Sequence, residues 1–179
     1  MRGLPAGVFD RVLLDPPCSA LGQRPRLIQP NASLSSLAQS ADYDVAFMRT
    51  AVRLLKPGGV LVYSTCTFNP LENELLVAHA LRMFPELTLE PLPRHLQTLG
   101  SEGMGQADVL SALAVMREAT ERAGAGGAAG DVQACRKVLA WDAAKVGGLT
   151  PDQAACVRRF DPDGSDDTIG FFVARFRKQ

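Results

Sequence analysis

The sequence carries no net charge and no long apolar run, and each absence excludes a class of protein. Lysine and arginine together number 19, and aspartate and glutamate also number 19. The chain as a whole therefore offers no net electrostatic field to attract a polyanion. No stretch approaches the roughly 18 uninterrupted apolar residues of a membrane span, and the N-terminus lacks the layout of a secretory signal. We expect no membrane partner and an intracellular, cytoplasmic location.

Cysteine is also scarce in this sequence. The four cysteines lie at positions 18, 66, 135 and 156, and no two of them form a C-x-x-C pair. This spacing argues against a disulfide framework and a structural zinc site, so we expect no bound metal. In an intracellular chain the thiols are expected to be reduced, and each is then either a small buried hydrophobic residue or a nucleophile. Cys135 and Cys156 lie in no recognisable site motif and are interpreted as packing or incidental residues.

Apolar runs and the residues that end them predict a strand, a helix and a second strand. Phe9–Leu14 is a short apolar run followed by two prolines, which is typical of a buried strand. Apolar residues recur at helical spacing from Ala41 to Leu55, and residues 56–59, KPGG, end that pattern. Val60–Ser64 is apolar, β-branched and aromatic, as in a strand. This order forms a βαβ unit with parallel strands, so the predicted fold class is α/β.

A helix and two more strands are predicted further along the chain. Asn69 is suited to cap a helix that has Pro70 at its first position and runs to about Met83. Glu72 and Glu74 would then lie near the positive end of the helix dipole. The last of the strands is apolar on both faces, which is typical of a strand inside a covered sheet. The predicted strands are Leu87–Glu90 and Ile169–Phe176.

The segment from Leu99 to Thr150 differs from the rest of the chain. Asp108–Arg122 and Asp131–Lys145 have helical patterns, and Ala123–Gly130 between them is a tract of glycine and alanine. Such a tract is typical of a flexible linker inside an insertion. The predicted organisation is a domain at residues 1–98 with both thiol motifs, an insertion at 99–156, and a last strand of the same domain at 157–179.

Cys18 and Cys66 each follow a predicted parallel strand. Ligands of open parallel sheets bind beyond the carboxyl ends of the strands. Neighbouring strands lie about 4.8 Å apart, so the loops that leave adjacent strand ends can present both thiols to one small ligand. Asp15 precedes Cys18 in the same loop and would share this site. The alternatives are a buried strand-end cysteine in each case and, for Asp15, a role in capping the following turn.

Two thiols and a carboxylate at one site suit methylation at carbon-5 of cytosine. This carbon is a poor nucleophile because the ring is electron-poor. A thiolate that adds at carbon-6 turns the ring into an enamine whose carbon-5 can attack a sulfonium methyl group. A second group must then remove the carbon-5 proton, and a thiol with an ordinary pKa of about 8.5, or a water that it positions, is suitable. The target base must leave its stack to reach such a site.

The motifs around these residues resemble those of a known enzyme family. Residues 14–19, LDPPCS, resemble motif IV of the Sun/NSUN (RsmB/Fmu-type) RNA cytosine-5 methyltransferases. Residues 63–67, YSTCT, and 69–74, NPLENE, resemble motif VI of that family and the helix after it. The resemblance implies a Rossmann-like class I methyltransferase fold and S-adenosylmethionine as cofactor. The implied roles are nucleophile for Cys66, assistance in product release for Cys18, and contact with the cofactor and the target base for Asp15.

Two further segments extend the resemblance. Residues 170–174, GFFVA, resemble the last strand of the family, which implies parallel strands completed by an antiparallel C-terminal strand. Residues 22–25, GQRP, are similar to the family member that carries an RNA-binding PUA domain. The implied partner is therefore RNA, with transfer RNA favoured. A PUA-like module is expected elsewhere in the full-length protein.

The sequence departs from the family pattern upstream of the first strand and at one loop position. The N-terminal half-sheet of the family, with the glycine-rich turn that holds S-adenosylmethionine, has no counterpart here. We therefore expect a truncated chain that has little activity alone. Its first strand would be an exposed apolar edge that favours aggregation. Ala20 stands where the family usually has glycine, which would stiffen the loop.

Two other functions fit parts of the pattern. A catalytically inactive fragment or isoform of the same ancestry would act as an interaction or regulatory polypeptide, and it would not bind S-adenosylmethionine. An amino-group methyltransferase has a similar proline-rich loop. However, an aromatic residue normally follows that loop at the position where this sequence has Cys18.

The remaining basic and histidine side chains carry weaker signals. His79 falls inside a predicted helix and His95 in a predicted loop, and neither has a ligand partner at suitable spacing. Surface or packing roles are expected for both. The basic groups that could contact phosphates or form solvated surface are Arg24 with Arg26, Arg158 with Arg159, and residues 175–178.

Overall fold

A mixed sheet and the helices packed on it organise the chain. The computed structural model describes residues 3–25, 34–124, 147–164 and 166–179. Within these ranges the elements in chain order are β1 Phe9–Leu14, α1 Leu34–Leu54, β2 Leu55–Thr65, α2 Glu74–Met83, β3 Leu87–Glu90, α3 Arg94–Gln97, α4 Gln106–Gly124, α5 Pro151–Cys156, β4 Arg158–Phe160 and β5 Phe171–Lys178. The predicted helix at Asp131–Lys145 and residues 125–130 of the predicted linker lie outside the described residues.

The strand order explains how the last strand completes the sheet. The order is β1-β2-β5-β3, and β4 also pairs with β5. β1 and β2 are parallel, as the βαβ pattern predicted. β5 is antiparallel to β2, β3 and β4, so it is the partner of strands on both of its edges. The predicted α/β class, with parallel strands and an antiparallel last strand, is confirmed.

Helix α1 begins earlier than its apolar pattern predicted. The helix starts at Leu34 and not at Ala41. Leu37 is half-buried one turn before Ala41 and extends the inward-facing side of the helix. Asp44 and Met48 continue this side and are both buried. A search for apolar residues alone misses part of this face because Asp44 is polar.

No loop separates α1 from β2. The helix ends at Leu54 and the strand begins at Leu55, so residues 56–59 end the helix as predicted but already belong to β2. The pairing of β1 with β2 shifts its register here, between Phe9 and Arg11. Gly58 has a φ of +76°, a conformation that glycine adopts without steric cost. The predicted strand at Val60–Ser64 is therefore the regular part of a longer one.

The predicted start of the helix after β2 is wrong. Helix α2 begins at Glu74 and not at Pro70, and residues 70–73 form a turn. Asn69 Oδ1 accepts a hydrogen bond from the main-chain N–H of Leu71, 3.2 Å away, while its Nδ2 donates to Glu72. Asn69 thus stabilises a local turn instead of capping a helix. Glu72 lies before the helix, where it is free to bind another part of the chain.

The hydrophobic core lies where α1, α2 and the sheet meet. Tyr63, Phe172 and Phe176 are its largest fully buried aromatic residues, and the rings of Tyr63 and Phe172 meet edge to face at 6.4 Å. Burial of one large apolar side chain contributes about 1.5–3 kcal/mol. Leu149 and Ala154 join the same core from the predicted insertion. The boundaries at residues 98 and 156 stay predictions.

Strand β1 lies at one end of the sheet. Within the described residues its only strand partner is β2. Leu13 is 73% exposed and Phe9 is 41% exposed on this strand. The predicted exposed apolar edge is confirmed, and its effect on solubility stays a prediction.

Candidate active site at the strand ends

The two thiols meet beyond the ends of β1 and β2. Leu14 near the end of β1 pairs with Tyr63 of β2, so the two strands finish side by side. Cys18 lies in the loop after β1, and Cys66 directly follows β2. Their Sγ atoms are 3.3 Å apart, and both side chains are half-buried. The expectation that adjacent strands bring both thiols to one site is confirmed, and their chemical roles stay predictions.

Asp15 lies at the same end of the sheet. It directly follows β1, and its Oδ1 accepts a hydrogen bond from Ser64 Oγ of the neighbouring strand at 3.0 Å. Its side chain is exposed, which leaves carboxylate lone pairs directed to solvent. This hydrogen bond crosses to β2 and does not cap the turn after β1. The structure therefore brings all three predicted site residues together.

Cys18 and Cys66 have different environments. Burial raises the pKa of the Cys18 thiol to about 12, with a smaller contribution from the neighbouring sulfur. Cys18 therefore keeps its proton near neutral pH and can donate it in a hydrogen bond to Cys66. Gln23 Nε2 donates a second hydrogen bond to Cys66 Sγ at 3.4 Å. The expectation that Cys18 has a near-neutral pKa, suited to a base, is not met in this conformation because the side chain is desolvated.

The loop after β1 is held against the loop after β2 by main-chain contacts. The N–H of Gly22 donates to the carbonyl of Cys66 at 3.0 Å, and the N–H of Gly170 donates to the carbonyl of Gly22 at 2.8 Å. A Cβ atom on Gly22 would lie 2.2 Å from the Gly170 oxygen, so position 22 admits only glycine without a backbone shift. Ala20 has a φ of +54°, which costs a residue with a Cβ about 1–2 kcal/mol.

A buried carboxylate joins the two loops. Glu72 is fully buried, and its Oε2 accepts a hydrogen bond from the main-chain N–H of Ser19 at 2.8 Å. Its Oε1 accepts hydrogen bonds from Ser19 Oγ at 2.5 Å and Asn69 Nδ2 at 2.7 Å. Burial raises the pKa of Glu72, and the hydrogen bonds from Ser19 oppose that shift. The sequence predicted only a dipole role for Glu72, because its partner lies 53 positions away.

A second buried acid lies behind the first. Tyr63 Oη is 2.6 Å from the main-chain carbonyl of Glu72 and 3.2 Å from Oδ2 of Asp44. Burial, with the charge of Glu72 as a smaller cause, raises the pKa of Asp44 to about 8. One hydroxyl proton serves one of these acceptors, so a protonated Asp44 supplies the second hydrogen. Sequence reasoning missed this residue, which lies within the apolar face of α1.

A buried ion pair supports the loop after Cys66. Arg159 Nη1 lies 2.8 Å from Oε1 of Glu74, and its Nη2 donates to the carbonyl of Phe68 at 2.7 Å. Arg158 is also buried and donates to the carbonyl of Gln97. The predictions of a phosphate contact and of a solvated surface are therefore both wrong for these two arginines. Their side chains stabilise the fold by binding buried groups of the same chain.

The other basic groups also contact partners inside the chain. Arg24 forms an exposed ion pair with Asp167. Near the end of the chain, Arg175 and Arg177 pair with Glu90, while Lys178 Nζ donates to main-chain carbonyls at the end of α1 and the start of β2. Phosphate binding by these groups stays a prediction. Arg26 and Cys135 lie outside the described residues.

Comparison with known proteins identifies the family. A family profile described as 16S rRNA methyltransferase RsmB/F matches residues 2–121. The chain belongs to this family. The Arabidopsis thaliana rRNA (cytosine-C(5))-methyltransferase NOP2C is 36% identical over 98% of this chain and 24% of its own length. The Mus musculus tRNA (cytosine(72)-C(5))-methyltransferase NSUN6 is 36% identical over 95% of this chain and 31% of its own length.

Solved structures share the fold of this RsmB/F chain. The structure of NSun6 from Pyrococcus horikoshii with SFG superposes with a TM-score of 0.58 and 30% identity, over 93% of this chain and 29% of that one. A methyltransferase homologue from the same organism gives a TM-score of 0.59 and 25% identity, over 97% of this chain and 40% of that one. The expected Rossmann-like methyltransferase fold and the Sun/NSUN resemblance are confirmed. The chain spans about a quarter to a third of the length of the two curated relatives.

The described part of the RsmB/F chain has neither a cluster of metal ligands nor a helix that could cross a membrane. Among the described residues, no three His, Cys, Asp or Glu side chains are grouped so that they could hold a metal ion. Within the same ranges, no helix has the length and apolar character needed to cross a membrane. His79 lies in α2 and His95 in α3. Cys156 is the last residue of α5 and is half-buried.

Proposed function

We propose that the protein containing this chain is an S-adenosylmethionine-dependent RNA cytosine-5 methyltransferase that uses Cys66 as its nucleophile. The observation that carries the proposal is the 3.3 Å contact between the Cys18 and Cys66 sulfurs beyond the ends of two parallel strands. Asp15 follows the same strand as Cys18. Family membership supports the reaction class, and the Arabidopsis and mouse relatives are named as cytosine-C5 methyltransferases of RNA.

The surroundings of the sulfurs support the assignment of Cys66 as nucleophile. Cys66 Sγ accepts a hydrogen bond from Gln23 Nε2, and Cys18 presents a second donor. Donors stabilise a thiolate, which is the reactive form of cysteine. Cys18, by contrast, retains its proton because burial raises its pKa to about 12. Of the two sulfurs, Cys66 is therefore the better candidate to attack a ring.

In the proposed reaction, Cys66 first forms a bond to the cytosine ring and later leaves it. The Cys66 thiolate forms a bond to carbon-6 of cytosine, and the electrons of the ring double bond move to carbon-5. Bound S-adenosylmethionine would supply the methyl group to carbon-5, and its S–CH3 bond would break to leave a neutral thioether. Loss of the carbon-5 proton restores the double bond and expels Cys66 as a thiolate. Because Cys18 holds its own proton, a water is the better acceptor of the carbon-5 proton, and the Cys18 S–H stabilises the departing sulfur.

The cofactor in this proposal is S-adenosylmethionine, whose sulfonium supplies the methyl group. The carboxylate of Asp15 fits a role beside the cofactor and the base, because it is exposed at the site and retains lone pairs after accepting from Ser64. A related structure from Pyrococcus horikoshii was solved with SFG, an analogue of this cofactor. Ligands of open α/β sheets bind at this end of the strands.

Transfer RNA is the proposed substrate class. The mouse relative is named as a tRNA methyltransferase, whereas the Arabidopsis relative is named as an rRNA methyltransferase. Methylation of ribosomal RNA would therefore contradict this choice of substrate. We also propose a PUA-like RNA-binding module in the full-length protein, because the balanced charge of this chain attracts no polyanion. A reducing, cytoplasmic location suits a mechanism that needs both thiols free.

The proposal is tested with the full-length protein, cytosine-containing tRNA and S-adenosylmethionine. The wild type should form 5-methylcytosine. Cys18→Ala should accumulate a protein–RNA adduct that survives denaturing electrophoresis, because Cys66 still attacks but release is impaired. Cys66→Ala should form neither adduct nor product.

Cys156→Ala is the matched control, because it removes a half-buried thiol that lies outside the site. It should methylate RNA at the wild-type rate without retaining an adduct. An adduct formed by the Cys66→Ala protein would overturn the assignment of the nucleophile. Methylation of rRNA but not tRNA would overturn the substrate class alone.

The alternative, a non-catalytic interaction polypeptide, is distinguished by cofactor binding. Calorimetric titration of the full-length protein with S-adenosylmethionine should give saturable binding if the enzyme proposal holds. Absence of binding together with absence of methylation would favour the non-catalytic alternative.

A further inference from the structure

Glu72 touches neither thiol, yet it connects the loops that carry them. We propose that Glu72 is a positioning residue that holds Ser19, and with it Cys18, against the Cys66 loop, so that Cys18 can assist release. This proposal rests on the proposed function of the two thiols. We call Ser19, Thr67 and Glu72 the serine latch.

The serine latch joins the residue after one thiol to the residue after the other. Ser19 follows Cys18, and Thr67 follows Cys66. Ser19 Oγ lies 2.9 Å from Thr67 Oγ1 and donates to Glu72 Oε1 at 2.5 Å. The main-chain N–H of Ser19 donates to the other Glu72 oxygen at 2.8 Å. One carboxylate therefore fixes both the backbone and the side chain of the residue next to Cys18.

The position of Glu72 is itself fixed by its own neighbours. Asn69 Nδ2 donates to Oε1 at 2.7 Å, and Tyr63 Oη donates to the main-chain carbonyl at 2.6 Å. The side chain is fully buried. Because Glu72 is fully buried and contacts neither sulfur, it acts on the thiols through the loop residues that it binds, Ser19 beside Cys18 and Asn69 in the loop after Cys66.

The latch requires a carboxylate and not an amide. Three N–H or O–H groups, two from Ser19 and one from Asn69, point at the two oxygens of Glu72. A carboxylate only accepts, whereas a glutamine presents one oxygen and one NH2 group. In either orientation, the NH2 of a glutamine would face an N–H donor of Ser19 or Asn69. Glu72→Gln therefore keeps the shape of the side chain but breaks the latch.

The test uses Glu72→Gln in the full-length protein, assayed with tRNA and S-adenosylmethionine. If Cys18 loses its position, attack by Cys66 continues while release slows. The denaturant-resistant protein–RNA adduct should then increase about fivefold or more over wild type. The kcat should fall about tenfold to a hundredfold, with KM for RNA unchanged, because small displacements of reacting groups have effects of this size.

A merely structural role would give a different result. Partial unfolding lowers adduct and product together and cannot increase the fraction of protein trapped on RNA. Arg158→Gln is the control for general destabilisation, because Arg158 is also buried but binds carbonyls away from both loops. It should lower the unfolding temperature without increasing the adduct.

Ser19→Ala gives an independent measurement if Glu72→Gln folds poorly. It removes the Oγ contacts but keeps the main-chain N–H of Ser19, so its adduct level should fall between wild type and Cys18→Ala. If Cys18→Ala accumulates adduct while neither latch variant does, the positioning role is overturned and the proposed function stands. If Cys18→Ala also accumulates none, both proposals fail.

Discussion

Cys18 and Cys66 have different neighbours although their sulfurs are 3.3 Å apart. Cys66 accepts a hydrogen bond from Gln23, whereas Cys18 is desolvated and its pKa is raised to about 12. Both cysteines follow a strand in the sequence, yet their chemical environments in the folded chain differ. The difference favours one sulfur as nucleophile and the other as hydrogen-bond donor.

We expect Cys18 to resist alkylation in the folded protein. Because burial raises the pKa of the Cys18 thiol to about 12, very little thiolate is present at mildly alkaline pH, and the thiolate is the form that reacts. Iodoacetamide at mildly alkaline pH should label Cys18 far more slowly in the folded protein than in urea, as measured by peptide mass mapping. Cys66→Ala should leave the labelling slow, because burial is the main cause of the shift. Equal rates in the folded and unfolded protein would contradict the assignment.

Asp44 is expected to make stability depend on pH. Its pKa is raised from 3.8 to about 8 by burial, so the folded state binds this proton more tightly than the unfolded state. The stabilisation is complete below the unfolded pKa and is lost as pH rises through the folded pKa. The loss between these limits is up to about 6 kcal/mol.

Asp44→Asn is the variant that tests this dependence. An amide cannot ionise, so the decline of stability from mildly acid to mildly alkaline pH should flatten in urea unfolding curves. Asp42→Asn is the matched control, because it changes an exposed acid on the same helix. A decline of equal slope in Asp44→Asn and wild type would exclude Asp44 as its source.

At the scale of elements, the sequence predicted those strands and helices whose positions depend on their apolar pattern. β1 matched its prediction at both ends, with two prolines soon after its end, and β5 was found within two residues because both its faces are apolar. β4, α3 and α5 were missed, since each is short and rich in polar residues. Such segments take their conformation from tertiary contacts.

Residues of the candidate site were predictable from the sequence only where they belong to a local motif. Asp15, Cys18 and Cys66 stand out by their position after strands. Glu72 and Asp44 do not, because their partners are distant in the sequence and become neighbours only in the folded chain. Polar residues within an apparent helix pattern carry no sign of such long-range partners.

The contact between the loop after β1 and Gly170, the residue before β5, predicts a strict requirement at position 22. Gly22→Ala places a Cβ against the Gly170 carbonyl, and relief of the clash must move a loop that also binds the Cys66 backbone. A cost of about 1–3 kcal/mol is expected for such overpacking, measured by thermal or urea unfolding. Gly3→Ala is the matched control, because nothing lies within 4 Å of its added Cβ. Equal stability of the two variants would show that the loop relaxes freely.

At the scale of the whole molecule, the free edge of β1 predicts self-association. Within the described residues β1 pairs only with β2, so its other edge is open, and Leu13 on this strand is 73% accessible. Edge strands of this kind pair with other chains. Leu13→Lys should lower the mass seen by light scattering after gel filtration. Leu110→Lys is the control, because it adds the same charge on α4 at a residue that is 41% exposed. A monomeric wild-type preparation would refute this prediction.

The late position of β5 in the sequence affects how this chain folds during its synthesis. Its residues, Phe171–Lys178, pair with β2, β3 and β4, all of which are synthesised earlier. The nascent polypeptide therefore carries Tyr63 and the rest of β2 without the β5 partner until residues 171–178 have been synthesised and have left the ribosome. Through that interval the pairing edge of β2 is available to chaperones and proteases. The main-chain contact of Gly170 with Gly22 in the loop after β1 likewise forms only after that point.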